Sequence, residues 1–242
     1  MSSETSSIPN AAASAPRQFV NYAFFKVDPA WRRLPEAERQ AGKAEFAKVV
    51  EEFRGRAVIV PFSLVGIRAD VDFLLWRIAF DLETLQEMSA KLLATGLGQW
   101  LTTPYSLIGQ AKTSVYEDEF IHPSQEEKRS RVRPGEYKYL FVYPFVKTRA
   151  WFQLTSDERR AAMKEHIRVG HEYPSIKLNT IYSFGLDDQE WVVAFESNRP
   201  SDFVDLVMEL RETEASRYTL RDTPIFTCVR GNLSHVLNTL GG

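Results

Sequence analysis

The chain has 242 residues, a net charge of −2, 44% apolar and 26% charged residues, the proportions of a globular protein able to bury a full core. The charge balance gives no broad basic surface for nucleic acid, and the single cysteine, Cys228, excludes an intrachain disulfide and a cysteine-built zinc site. No apolar run reaches the roughly 18 residues that span a bilayer, so the expectation is a protein of the reducing cytoplasm without a membrane span.

Residues 1–17 are rich in Ser, Ala and Pro and lack the charged start and apolar stretch of a secretory signal; they read as a disordered tail. From there the pattern predicts strands near 19–27, 56–66, 71–78 and 104–116, with helices near 31–53 and 81–95. Residues 117–136 (EDEFIHPSQEEKRSRVRPGE) form a polar, charged linker. A second series follows, with strands near 138–146, 176–184, 189–196 and 223–230 and helices near 155–172 and 200–215. Thr155 precedes Glu158 by three, the spacing of a capping box at a helix start.

The two series echo each other. AWRRLPEAER at 30–39 returns as AWFQLTSDER at 150–159, so Ala30, Trp31, Leu34, Glu38 and Arg39 recur at an offset of 120. VGIRADVDFLLW at 65–76 returns as FGLDDQEWVVAF at 184–195, with Gly66 matching Gly185 at an offset of 119. Two matches in the same order argue for a duplicated unit. Each unit reads β-α-β-β-α-β, the ferredoxin-like motif. The fold class is therefore α+β: an N-terminal half (18–116) and a C-terminal half (137–242), whose two four-stranded sheets pack face to face as a dimeric α+β barrel within one chain.

Four histidines are present: His122, His166, His171 and His235. His166 and His171 are five apart on one predicted helix, about 140° around its axis, so they cannot easily share one ion. His166 lies on the stripe of Ala162, Met163 and Gly170 that should face the sheet, where a histidine is commonly a satisfied core residue. Its counterpart in the first half is Phe46: one unit keeps an apolar packer and the other carries a ring that can hold a metal. Tyr143 and Lys147, four apart in YPFVK, should share one strand face; a half-buried tyrosine beside a snorkelling lysine is the plain alternative. Arg211 and Ser216 sit in LRETEASRY at the end of the last long helix, where an arginine can pair with a carboxylate or cover a solvated face.

YPFVKTRAW, MKEH, FGLDDQEW followed by AFE, and LRETEASRY, in this order over roughly residues 137–230, resemble the second half of the coproheme decarboxylases of the chlorite dismutase–like superfamily. The resemblance implies a porphyrin enzyme. His166 matches the proximal iron ligand, which leaves the opposite iron face open for hydrogen peroxide. Tyr143 matches the catalytic tyrosine, and Lys147 a lysine that holds a propionate near it. Arg211 and Ser216 match contacts to the porphyrin carboxylates, and Arg131 or Arg133 a further propionate-binding arginine. Asn179, thirteen after His166, stands where many members carry a distal glutamine, and His122 is the linker's candidate for a distal base. Chlorite-degrading members carry a distal arginine near position 179 and lack a tyrosine at position 143. Here Lys177, Leu178 and Asn179 occupy that stretch, and a lysine poorly replaces arginine's planar fork.

The resemblance thus implies peroxide-dependent decarboxylation of iron coproporphyrin III to haem b through a tyrosyl radical, in a homopentamer. The alternatives are another haem enzyme of the superfamily, a chlorite dismutase or peroxidase, and a haem carrier or sensor without turnover.

Overall fold

The computed structural model describes residues 16–113 and 131–241. His122, most of the expected tail and much of the expected linker lie outside the described residues.

The first half runs β1 (Phe19–Val27), α1 (Glu36–Glu52), β2 (Val58–Ser63), β3 (Phe73–Ala79), α2 (Leu82–Leu93) and β4 (Leu101–Gln110). The second runs β5 (Tyr139–Lys147), a short helix α3 (Arg149–Gln153), α4 (Ser156–His171), β6 (Ile176–Tyr182), β7 (Trp191–Ser197), α5 (Pro200–Glu212), β8 (Thr219–Arg221), β9 (Phe226–Arg230) and a terminal helix α6 (Leu233–Asn238).

All strand pairs are antiparallel. The order β4-β1-β3-β2 makes one four-stranded sheet and β6-β7-β5-β9 the other, so the order is the same in each half. Two seams join them, β2 to β9 at Phe62–Arg230 and β4 to β6 at Gln110–Tyr182, and the sheets close into an eight-stranded barrel. β8 adds to the end of β5.

Strands buried on both faces read as near-continuous apolar runs. In β1, Val20, Tyr22 and Phe24 point into the barrel, where they meet Leu74 and Trp76 of β3 and Leu140, Val142, Val192 and Ala194 of the second sheet. Ala23, Phe25 and Val27 point outward to the helices, against Phe46, Val50, Leu85 and Met88. Phe24 and Phe226 stack at 4.0 Å between centroids and tie the two sheets together inside the barrel.

The duplication is visible in matched contacts. Arg39 Nη1 donates to the carbonyl of Leu34 at 2.9 Å, and Arg159 Nη1 to that of Leu154 at 2.9 Å. Trp31 and Trp151 are both buried. Gly66 (φ 78°) and Gly185 (φ 72°) both take the left-handed conformation that lets the hairpin turn. The capping box of Thr155 and Glu158 starts α4 as its spacing predicts.

The expected helix at 31–53 is divided. Pro35 disfavours helical geometry at Leu34, which is extended (ψ 151°), so a 3₁₀ turn at Pro29–Arg33 precedes α1. The expected helix at 200–215 ends at Glu212, because Thr213 is extended (ψ 154°) and a 3₁₀ turn at Glu214–Tyr218 follows. No helix among the described residues is long and apolar enough to cross a membrane.

Phe226→Ala should lower stability by about 3–5 kcal/mol, the range for emptying a buried aromatic site. Denaturant unfolding checks this, and a loss under roughly 1 kcal/mol would show that the joined sheets do not depend on the Phe24–Phe226 stack.

Candidate functional site

The two halves offer an internal comparison. Each has a layer between its sheet and its helices, and in the first half that layer is full. Phe46 of α1 is fully buried and packs edge-on against Phe25 and Phe73 at 6.4 and 5.9 Å, with Val50 one turn on also buried. The offset of 120 places His166 where Phe46 stands and Gly170 where Val50 stands. His166 and Gly170 are only half-buried, and a Cβ added to Gly170 would meet nothing within 4 Å. On the sheet, Ile59 of β2 is 6% exposed, whereas its counterpart on β6, Leu178, is 51% exposed. The same layer is thus packed shut in one copy and less filled in the other, where His166, Gly170 and Leu178 leave room between α4 and the sheet, the candidate cleft.

The sheet wall of the cleft follows from the register. Thr180, Val193 and Tyr143 lie in one row across β6, β7 and β5, and Leu178, Phe195 and Phe141 in the next. Tyr143 is buried and stacks on Phe195 at 6.1 Å. Burial raises its phenol well above the usual range; the Asp222 carboxylate adds to this and Arg211 opposes it. Tyr143 therefore keeps its proton at neutral pH.

On the helix wall, His166 Nδ1 lies 3.1 Å from Thr213 Oγ1. Burial pushes its pKa down to about 4, helped by the Lys147 ammonium and opposed by Glu165. A neutral imidazole is the form that ligates a metal. Among the described residues no group of three or more His, Cys, Asp or Glu side chains could hold an ion, so His166 stands as a single donor. That donor set suits a metal whose other ligands come from its own flat ring, and the cleft between helix and sheet suits a flat ring.

The other candidates divide. Lys147 shares the outer strand face with Tyr143, but its Nζ is buried, donates to the Ala215 carbonyl at 2.5 Å and lies 4.6 Å from the centre of the Trp151 ring. It thus sits beneath the 3₁₀ turn, close enough to act on His166, with its pKa lowered to about 8 by burial. Arg211, in the last turn of α5, is largely exposed and pairs with Asp222 at 3.0 Å; both are near enough to influence Tyr143. Ser216 is half-buried in the 3₁₀ turn.

Asn179 is not brought to the cleft. It is paired with Ala194 and shares a face with Ile181, so it points into the barrel, where its Nδ2 donates to Glu196 at 3.0 Å. Counting thirteen residues from His166 ignores strand alternation, which turns Leu178 and Thr180 to the cleft instead. Lys177 also turns inward and pairs with Glu196 at 3.0 Å. Arg131 and Arg133 belong to a segment across one barrel mouth. Val132 N donates to Gln18 at 2.7 Å and Gly135 N to Glu196 at 2.7 Å, while Arg131 lies over the Phe80 ring. His171 is exposed at the end of α4. Thr213 and Asp222 escaped the reading of the sequence; Leu178 and Gly170 were in view there only as neighbours of other candidates, and the repeat offset is the signal that sets Gly170 against Val50.

Comparison with known proteins gives concordant results. A family model described as chlorite dismutase matches residues 15–231. A coproheme decarboxylase of Mycolicibacterium smegmatis is 30% identical, over 92% of this chain and 94% of that protein. A chlorite dismutase of Ideonella dechloratans is 26% identical, over 86% of this chain and 74% of that protein. The structure of chlorite dismutase from Candidatus Nitrospira defluvii in complex with imidazole superposes with a TM-score of 0.83 at 27% identity, covering 91% and 93% of the two chains.

The lowered His166 pKa has a consequence for the stability of the protein without ligand. The unfolded chain takes up this proton near pH 6.5 and the folded chain only near about 4. The stability this group contributes is complete above 6.5 and is lost as the pH falls toward about 4. Unfolding measured across that window should show the loss in the wild type and a shallower slope in His166→Gln. Identical slopes would mean that His166 titrates as an exposed histidine.

Proposed function

The chain belongs to the chlorite dismutase family, and from that premise we propose that it is a hydrogen peroxide–dependent coproheme decarboxylase. The reading is carried by the cleft that opens where the first half is packed shut, with a neutral histidine on one wall and a buried, protonated tyrosine on the other. The substrate is iron coproporphyrin III and the product haem b, so the porphyrin enters and leaves. The 30% identical relative named coproheme decarboxylase supports this choice within the family.

His166 Nε2 holds the iron from the helix side. When bound, the iron porphyrin supplies the redox chemistry, with hydrogen peroxide as the oxidant. Tyr143 gives up its phenolic hydrogen as one electron and one proton. The tyrosyl radical takes a hydrogen atom from the propionate it faces, and as a second electron passes from that side chain to the remaining oxidising equivalent of the peroxide, its carboxylate leaves as CO₂ and its other carbons become a vinyl group. Each round withdraws two electrons from one propionate and reduces one hydrogen peroxide to water; two rounds give haem b. Burial keeps Tyr143 protonated, so proton and electron leave together. Arg211, with a guanidinium exposed beside Tyr143, orients a carboxylate. Ser216 offers a hydroxyl from the 3₁₀ turn, and Lys147 sets the charge beneath His166.

The chlorite-degrading alternative calls for a cation on the distal side. The cleft-facing residues of β6 are Ile176, Leu178 and Thr180, and the Lys177 ammonium is turned into the barrel. A cytoplasmic location and homopentameric assembly belong to the same proposal.

Titration of the purified protein with iron coproporphyrin III, then hydrogen peroxide, should give stepwise loss of two CO₂ with the accompanying hydrogens by mass spectrometry. Tyr143→Phe should bind the porphyrin and release no CO₂ above a protein-free control; His166→Ala should lose the histidine-ligated spectrum. Binding without mass change would reduce the protein to a carrier, and O₂ release from chlorite would move it to the dismutases.

A further inference from the structure

His166 has two ring nitrogens, and only one tautomer leaves a lone pair where a metal can take it. Free imidazole side chains favour the proton on Nε2, which is the wrong arrangement for a ligand that must bind through Nε2. The protein therefore has to select the other form, and the hydrogen bonds around Thr213 show how.

Thr213 Oγ1 is 2.7 Å from the Leu210 carbonyl and 3.1 Å from His166 Nδ1. A hydroxyl has one proton. The Leu210 oxygen can only accept, so if that proton turned to the histidine, two oxygens would face each other at 2.7 Å with no hydrogen between them. The proton therefore goes to Leu210, Thr213 Oγ1 accepts, and Nδ1 carries the hydrogen. Nε2 is then the unprotonated nitrogen.

The charged groups nearby are engaged elsewhere. Lys147 Nζ donates to the Ala215 carbonyl, and an ammonium cannot accept. Glu165 accepts from the backbone N–H of Glu214 at 3.2 Å, and the Glu214 carboxylate pairs with Arg217 at 3.1 Å. Thr213 is 3% exposed, so water has little access to compete for Nδ1. Thr213 is the extended residue that ends α5, and that break aims its side chain at α4.

We propose that Thr213 is a positioning residue that fixes His166 as the Nδ1–H tautomer and presents Nε2 as a ready lone pair to the iron of a porphyrin in the cleft. The second half of this statement rests on the function proposed above; the first half stands on the protein alone.

The test separates the two. Long-range ¹H–¹⁵N NMR on the porphyrin-free protein, with His166 assigned through His166→Gln, should show Nδ1 protonated and Nε2 bare in the wild type and in Thr213→Ser. The isosteric Thr213→Val should shift the ring toward Nε2–H. Optical titration with iron coproporphyrin III should then show affinity weakened by roughly tenfold to a hundredfold in Thr213→Val, the usual range for loss of a partner behind a ligating histidine, with recovery in Thr213→Ser. A wild-type ring protonated on Nε2, or a Thr213→Val ring still protonated on Nδ1, overturns the proposal even if the porphyrin binds. Should Thr213→Val fail to fold, the wild-type and Thr213→Ser spectra still decide it. If the tautomers behave as stated but His166→Ala keeps a histidine-ligated spectrum, the ligand assignment fails and the role of Thr213 in setting the tautomer survives.

Discussion

Closure of two four-stranded sheets into one barrel is the constraint on which the rest depends. The seams at β2–β9 and β4–β6 leave no open sheet edge along the eight-strand ring, so the inner faces are committed to a shared core. The outer faces must then be covered by each half's own helices. A duplicated unit thus yields two separate helix–sheet layers around one common interior. The interior bears the joint stability of the halves, and either layer can change without undoing the barrel.

The second half uses that freedom. Replacing a buried phenylalanine, valine and packed isoleucine by His166, Gly170 and the half-exposed Leu178 gives up apolar burial on the scale of several kcal/mol in total. The deficit falls in one layer, while the barrel core and the first layer remain filled. A ligand that binds only the folded chain restores stability in proportion to its occupancy. An opened layer in a closed barrel is accordingly a physical signature of a site.

Burial also sets the chemistry of the groups in and beneath this cleft. It keeps His166 neutral, Tyr143 protonated and the Lys147 pKa low, and Lys147 in turn disfavours a second proton on His166. One cause, removal from water, produces a bare nitrogen on one wall and a hydrogen donor on the other. Charge is kept to the margin, where Arg211 and Asp222 pair beside Tyr143.

The order of elements, the repeat at an offset of 120 and the contrast between Phe46 and His166 were legible in the sequence, because periodicity, capping and turn glycines are written in near neighbours. Strand alternation is legible too, and it sets Asn179 on the inward face with Ile181, opposite to Leu178 and Thr180. Tertiary structure alone decided which residues meet. The 131–136 segment lies across a barrel mouth because Gln18 and Glu196, one from each half, receive its N–H groups. Lys147 turns beneath His166 because the Ala215 carbonyl is there to accept from it. Thr213 reaches His166 across 47 residues of chain. A side chain's type and periodicity are local properties, but its protonation, tautomer and partner are set by whatever the folded chain brings against it.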